Sequence, residues 1–380
     1  MKKERNMQFA ILQVIAIIAV VVGHFGGANL VSEWFPIYSW HMPIFLFISG
    51  YFYSKEQENN IFKYIWKKTK KLFIPCFVWN IIYCVVAYIL VAENVTAFGQ
   101  KFDLERIFLW PLWNGTQWGI NLPAWFGLSL FFIQIVYLLI RKVMTKIHIN
   151  NEVIFFIIFL FCGFAGVKLT YLGYREKWWL TLVKIMFGLA FYAMGYLYKV
   201  LLEKYIDKIN NLVYFIVIFA SQFLILHVFE IPVKISMWNG VFNEIAAHCY
   251  TPFFTALPGM LFWIRVSKIL EPGLRNSKII KAISENTYDI MMHHQFVCFC
   301  FNYLLLKINL NIVTLEGFEW GKFRISPYYT AKLFGTKEFL IVYLALGISI
   351  PVIFGLTKKH LINKIKNIYQ NRKRKGKEAI

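Results

Sequence analysis

Two histidines lie at the edges of long apolar segments near the start of the chain. His24 closes the run "AVVVGHFGG" at residues 19–27, and His41 lies in "SWHMPIFLFISGYF" at residues 39–52. A buried imidazole needs a hydrogen-bond partner, because an unpaired polar group in an apolar layer is costly. The short connection 29–36 makes the two segments an antiparallel hairpin, which brings both histidines into one layer. The pair predicts a proton-transfer site, since histidine titrates near neutral pH, or else two histidines hydrated at a membrane interface.

A second group of ionisable residues lies in "YDIMMHHQF", residues 288–296. Asp289 and His293 are four residues apart, so they can face each other on one helix. Ionisable residues inside an apolar span usually mark a site or a proton path. At 1.5 Å per residue, His294 is expected about 12 Å from the inner end of its helix, deeper than His24. The alternative is a tertiary hydrogen bond that holds helices together.

The stretch "KKTKKLFIP", residues 67–75, places a basic cluster just before an apolar segment. Such clusters often only set the orientation of a membrane helix. The functional alternative is an anion site, because lysines bind phosphate groups as point charges.

Composition sets the class of protein that must position these residues. The chain has 380 residues, of which 58% are hydrophobic and 16% are charged, whereas soluble domains carry about 25% charged residues. Runs such as "FAILQVIAIIAVVVG" approach the roughly 20 residues of a bilayer span. We predict an all-α polytopic integral membrane protein, a bundle of about ten transmembrane helices. The predicted spans are 9–28, 37–53, 72–92, 121–140, 152–172, 179–200, 211–229, 248–270, 286–306 and 337–357, the eighth being the weakest because prolines interrupt it.

The net charge of +21 is distributed in short basic clusters between the apolar segments. That distribution is the positive-inside pattern and argues against nucleic-acid binding. The segment after the second span is rich in lysine, whereas the connection 29–36 has no Lys or Arg. We therefore predict that both termini are cytoplasmic, with a transmembrane domain at 1–357 and a basic cytoplasmic tail at 358–380. The six cysteines form no CxxC pair, and neither a disulfide framework nor a metal site is expected.

Several stretches between residues 9 and 300 resemble, in order, motifs of the membrane-bound acyltransferase 3 family, in its branch similar to fucose 4-O-acetylases. "AIIAVVVGH" resembles the first-helix motif whose closing histidine is the family's catalytic residue, which here is His24. "WHMPIFLFISGYF" follows the second-helix motif of that branch, with His41 at the site and Ser49 as a substrate contact.

"KKTKKLFIP" is similar to the family's paired basic residues before a proline, which implies that Lys68 and Lys71 bind the acyl donor. "PAWFGLSLFF" and "SENTYDIMMHH" resemble the later motifs. They imply substrate contacts for Trp125 and Asn286 and a site role for His294.

The chain departs from the family pattern in its basic residues. The family usually has Arg or Lys eleven residues before the first histidine, and this chain has Gln13 there. Gln13 can hydrogen-bond a donor but supplies no charge. Lys68 and Lys71 supply charge without the bidentate fork of arginine.

The resemblance implies transfer of an acetyl group from cytoplasmic acetyl-CoA to a hydroxyl of a cell-surface glycan or lipid-linked saccharide, by a multi-pass protein of the plasma membrane. A sugar hydroxyl needs a base with a pKa near the working pH. We expect His24 to be that base or a transient acetyl carrier, with His41 or Asp289 orienting it or sharing its proton.

Two other classes of protein remain open from sequence. A polytopic transporter or flippase would use intramembrane His and Asp for proton coupling, and a structural subunit of a biosynthetic complex would show no turnover. Loss of acetylation after a single change at His24, at an unchanged protein level, would count against the structural subunit.

Overall fold

The structure, a computed structural model, describes residues 5–25, 33–96, 102–113, 118–242, 248–331 and 339–378, with side chains described up to residue 369. Ten helices of 15 residues or more lie in these ranges, and each coincides with one predicted span. They are α1 (Met7–His24), α2 (Ile37–Tyr51), α3 (Ile61–Ala92), α4 (Gly119–Lys146), α5 (Glu152–Tyr171), α6 (Trp178–Ile206), α7 (Asn211–Val228), α8 (Thr251–Leu274), α9 (Thr287–Asn311) and α10 (Phe339–Glu378). Short helices at Leu104–Phe108, Trp110–Trp113, Lys278–Glu285 and Trp320–Ile325 connect them.

Eight of the described helices are long and apolar enough to cross a bilayer, so the all-helical membrane fold is confirmed. The two others are α2 and α9. Helix α2 has only 15 residues, fewer than the roughly 20 that span the hydrocarbon core. Helix α9 begins with the polar run that contains Asp289, His293 and His294. The count of about ten spans and the cytoplasmic termini therefore stay predictions.

The eighth predicted span is a single continuous helix rather than an interrupted one. Pro252 lies in the first turn of α8, where the missing N–H would have had no intrahelical partner. Pro258 lies inside the helix without ending it.

Helices α2 and α6 approach each other through glycine. A Cβ atom at Gly50 of α2 would collide with the carbonyl oxygen of Tyr192, and one at Gly195 of α6 would collide with that of Phe47. The contact is reciprocal, so the two backbones can be this close only because both positions lack a side chain. This contact fixes the helix that carries His41 against the centre of the bundle.

We expect Gly50→Ala to lower the free energy of unfolding by about 1–3 kcal/mol or more, because overpacking forces a backbone to move. Gly273→Ala in α8 is the control, since a Cβ there meets no heavy atom within 4 Å. Thermal unfolding of the purified protein in detergent measures both. Equal melting temperatures for the two variants would contradict the close contact of α2 and α6.

A buried ionic cluster holds the segment after α2 against α4 and α5. The guanidinium of Arg141, only 1% exposed, donates to Glu58 Oε1 at 3.0 Å and to Glu152 Oε2 at 2.6 Å. Lys55 also pairs with Glu152, at 2.8 Å. The cluster has matched charges and lies outside the cavity described below, so its role is structural.

Candidate active site

The last residue of α1 contacts the second turn of α9 through two imidazoles. His24 Nδ1 lies 2.8 Å from His294 Nε2, and the two rings are nearly parallel, with their centroids 5.0 Å apart. His294 is fully buried. The sequence predicted His294 deeper than His24 and apart from it, whereas the crossing of α1 and α9 brings the two side chains together.

Hydrogen bonds around the pair set its tautomers. His294 Nδ1 lies 2.8 Å from the carbonyl oxygen of Ile290, which can only accept, so this nitrogen carries the hydrogen. In the neutral ring, Nε2 of His294 is then an acceptor, and Nδ1 of His24 must be the donor to it. The remaining nitrogen of His24, Nε2, keeps its lone pair. His24 is thus held in the form that a general base requires.

His41 lies beside the same cavity but does not contact His24 through a hydrogen bond. Its Nδ1 is 2.7 Å from the carbonyl oxygen of Ile37, which fixes the hydrogen on that nitrogen. Tyr38 connects the two helices, because its hydroxyl donates to the carbonyl oxygen of Gly23 at 2.8 Å and its ring packs edge-on against His41. Tyr38 therefore holds the end of α1 next to the start of α2.

Tyr328 covers His24 from the segment between α9 and α10. Its ring is nearly parallel to that of His24, with centroids 5.8 Å apart. Burial raises the pKa of Tyr328 to about 12, so its phenol stays protonated and can donate a hydrogen bond near His24.

One cavity of about 320 Å³ extends from His24 to the basic cluster of α3. Its size is within the usual range for small-molecule sites, about 300–1,000 Å³. We call its two ends the His24 end and the Lys68 end. The His24 end is lined by His24, Tyr38, His41, Trp125 and Trp238. The Lys68 end is lined by Gln13, Gln57, Tyr64, Lys68, Lys71 and Thr287. The middle is mainly apolar and is lined by Ile17, Val20, Phe45, Phe126 and Met291, together with Ser49.

The basic cluster reaches the cavity through an irregular turn in α3. Residues Thr69–Phe73 form one π-helical turn, a feature that shifts the helical register and is frequent at functional sites. Lys68 and Lys71 line the cavity, whereas Lys67 and Lys70 do not. Two of the four lysines in "KKTKK" therefore line the cavity, and the other two are exposed residues outside it.

Two residues expected at the site lie elsewhere. The carboxylate of Asp289 pairs with Lys358 of α10 rather than facing His293 or His24, because a buried carboxylate is stable only beside a cation. Asn286 is fully buried and donates to the carbonyl oxygen of Ala282 at 2.7 Å. Neither side chain lines the cavity.

A comparison with known protein families identifies the family to which this fold and site belong. The acyltransferase domain of the acyltransferase 3 family matches residues 8–358. The chain belongs to the acyltransferase 3 family. Members of this family are acyltransferases, so the protein is a membrane acyltransferase, and the prediction of an enzyme is confirmed. No curated protein and no solved structure matches the chain.

In this acyltransferase, Arg5 contacts Gln13, which lines the Lys68 end of the cavity, and the sequence did not indicate this contact. Its Nη2 donates to Gln13 Oε1 at 3.3 Å, and its Nη1 pairs with Glu285 at 3.3 Å. Arg5 also lies within electrostatic range of Lys71. A guanidinium thus stands beside Gln13, where the family usually has a basic residue. No sequence pattern signals the contact, because Arg5 precedes α1 and reaches two turns along it.

Lys184 of α6 is the other residue that sequence reasoning missed. It is 1% exposed, and its ammonium lies 5.0 Å from the centre of the Trp125 ring. A cation over an indole face stabilises the ring position. Lys184 therefore supports one wall of the His24 end.

Proposed function

We propose that the protein transfers an acetyl group from cytoplasmic acetyl-CoA to a hydroxyl of a cell-surface glycan or lipid-linked saccharide at the plasma membrane, within the branch similar to fucose 4-O-acetylases. The observation that carries the proposal is that one cavity is lined by Lys68 and Lys71 at one end and by His24 at the other. A coenzyme with phosphates and a thioester at opposite ends matches that arrangement.

The donor would enter at the Lys68 end. The ammonium groups of Lys68 and Lys71 interact with phosphate oxygens as point charges, and Arg5 adds a guanidinium beside Gln13. The apolar middle of the cavity accepts the uncharged arm of the donor and directs its thioester toward His24.

The acceptor hydroxyl would bind at the His24 end. His24 Nε2 removes the hydroxyl proton while the oxygen attacks the thioester carbonyl carbon. Collapse of the resulting adduct breaks the carbon–sulfur bond, and the proton on His24 passes to the departing thiolate. His294 keeps the His24 ring oriented and accepts its Nδ1–H throughout. Trp125 and Tyr38 offer aromatic faces against which a sugar ring can pack.

Mass spectrometry of the surface glycan tests this function in cells. We expect O-acetyl groups on the glycan of cells that carry the wild-type gene, and their loss in cells that carry His24→Ala at the same protein level. Identical glycans in the two strains would contradict the proposal.

A separate expectation concerns Arg5. We expect Arg5→Gln to raise the apparent KM for acetyl-CoA about tenfold, because a hydrogen bond to a charged group contributes about 1.5–3 kcal/mol, with kcat nearly unchanged. Lys63→Gln is the matched control, since it removes one exposed cation of α3 that does not line the cavity. Steady-state kinetics on membranes measures both variants. Equal donor KM values in the two variants would contradict a role of Arg5 in donor binding and would limit its role to the ion pair with Glu285.

A further inference from the structure

A second groove lies on the other side of α9 from the His24–His294 pair. It has a volume of about 490 Å³ and is formed by α3, α9 and α10. Its lining is almost wholly hydrocarbon and aromatic, and includes Trp79, Phe296, Leu346 and Phe354. The exposed side chains around it, such as Leu304 and Ile350, are apolar as well. The groove is therefore open on the face that meets the lipid chains of the bilayer.

One polar pair lies in this apolar lining. The hydroxyl of Tyr83 and Nδ1 of His293 are 2.7 Å apart, and His293 is only 6% exposed. Its ring is held edge-on between Trp79, at 4.3 Å between centroids, and Phe354, at 5.0 Å. Among the described residues, Nε2 of His293 has no hydrogen-bond partner.

The Tyr83–His293 pair has one more hydrogen-bond donor than it has acceptors for. The phenol and the neutral imidazole together have two polar hydrogens, and one hydrogen bond uses one of them. The second hydrogen is on Nε2 if the phenol donates, or on the phenol if Nδ1–H donates. In either case one donor remains, and inside a bilayer an unpaired donor costs several kcal/mol. An acceptor from the lipid phase would satisfy it.

The charge at one end of the groove indicates which lipid supplies the acceptor. Lys358 Nζ lies 5.5 Å from the centre of the Phe354 ring, which itself packs on His293. Its side chain is 34% exposed, and among the described residues it donates one hydrogen bond, to Asp289. Lys359, the next residue, is also partly exposed. Basic side chains between helices at a membrane surface bind anionic headgroups.

We propose that the groove binds a phospholipid with an anionic headgroup. The acyl chain of this lipid fills the groove, and its ester carbonyl accepts a hydrogen bond from the Tyr83–His293 pair. Its phosphate lies against Lys358. His293 is the first residue of α9 that lines the groove, and Lys358 lies four residues, about one helical turn, beyond Phe354, the last residue of α10 that lines it. The two polar groups therefore follow the apolar lining in the order in which a lipid presents its carbonyl and its phosphate. The bound lipid would connect α3 with α10, and α10 packs behind His294 at Gly347. The site is separate from the acyl-transfer cavity and does not depend on the identity of its substrates.

The test uses the full-length protein in nanodiscs of phosphatidylcholine with a minority of a phosphatidylglycerol that has a photoreactive group in its acyl chain. After illumination, peptide mass spectrometry locates the label. We expect label on the segments that contain Trp79 and Cys300, reduced by added unlabelled phosphatidylglycerol and much less by phosphatidylcholine. Label spread equally over the exposed faces of α5 and α7 would overturn the proposal.

Two variants sharpen the result. Cys300→Trp places a bulky ring in the groove from an exposed position, and should reduce the label at Trp79 about tenfold. Ile158→Trp is the matched control, an exposed residue of α5 outside the groove, and should leave that label unchanged. Lys358→Gln should remove the preference for phosphatidylglycerol while some labelling by chain contact persists. Unchanged labelling in Cys300→Trp, or an unchanged lipid preference in Lys358→Gln, would contradict the site.

Discussion

Replacing His24 by alanine should lower acyl transfer about 10²–10⁴-fold, which is the usual effect of removing a general base. The expectation rests on the tautomer of His24, a residue that lines the cavity, whose Nδ1–H is used in the bond to His294 and whose Nε2 keeps its lone pair. Insertion and abundance should stay near normal, because His24 is the last residue of α1 and its ring contacts among the described residues are with His294 and Tyr328. The measurement is the rate of acetyl transfer, normalised to the protein level on a blot.

His294 provides the sharpest comparison with His24. His294→Leu leaves His24 Nδ1–H without an acceptor in a buried position and frees the ring to rotate, so kcat should fall almost as far as in His24→Ala. His294→Gln should recover a large part of the activity, because its amide oxygen can occupy the place of Nε2 and accept the same hydrogen. Equal loss in both variants would assign His294 a proton-carrying role rather than a positioning one. If His24→Ala kept more than about a tenth of the activity, the base would lie elsewhere.

The second large effect is expected on donor binding. Lys68→Ala combined with Lys71→Ala should raise the apparent KM for acetyl-CoA about 10²-fold, because each hydrogen bond to a charged group contributes about 1.5–3 kcal/mol and each 1.4 kcal/mol is tenfold in affinity. The acceptor KM should change little. Steady-state kinetics with each substrate varied in turn measures the difference.

The chain contains a matched control for this pair. Lys67→Ala combined with Lys70→Ala removes the same charge from the same turn, but neither side chain lines the cavity. If the cluster only set the orientation of α3, the two double variants would behave alike. A donor KM that rises for Lys68 and Lys71 but not for Lys67 and Lys70 supports direct contact with the donor.

The positions of the helices and the hairpin of α1 and α2 could be predicted from the sequence. Apolar runs separated by short charged connections predicted a helix at each of the ten positions, because a bilayer span has a fixed length. The hairpin of α1 and α2 also follows, since the connection 29–36 is too short for any other arrangement. His24 and His41 accordingly line one cavity.

The contacts across the bundle could not be predicted in the same way. Counting 1.5 Å per residue gives a depth along a straight helix, but the tilt and crossing of α1 and α9 decide that His294 meets His24. Asp289 pairs with Lys358, which is 69 residues away, and not with its helical neighbour His293. The side chain of Arg5 reaches Gln13, eight residues further along the chain, a contact that no spacing rule signals. The contacts of His294 and Asp289 depend on the packing of helices distant in sequence.

We expect one cavity to connect a donor site at the Lys68 end with the base at its His24 end. Sealed membrane vesicles of inverted orientation, supplied with acetyl-labelled CoA on the outside, test it most directly. We expect label to appear as O-acetyl groups on saccharide inside the vesicles that contain the wild-type protein, and to fall by the factor given above in vesicles with His24→Ala. Undiminished labelling in His24→Ala, or labelling only when the donor is supplied from the opposite face, would contradict the account.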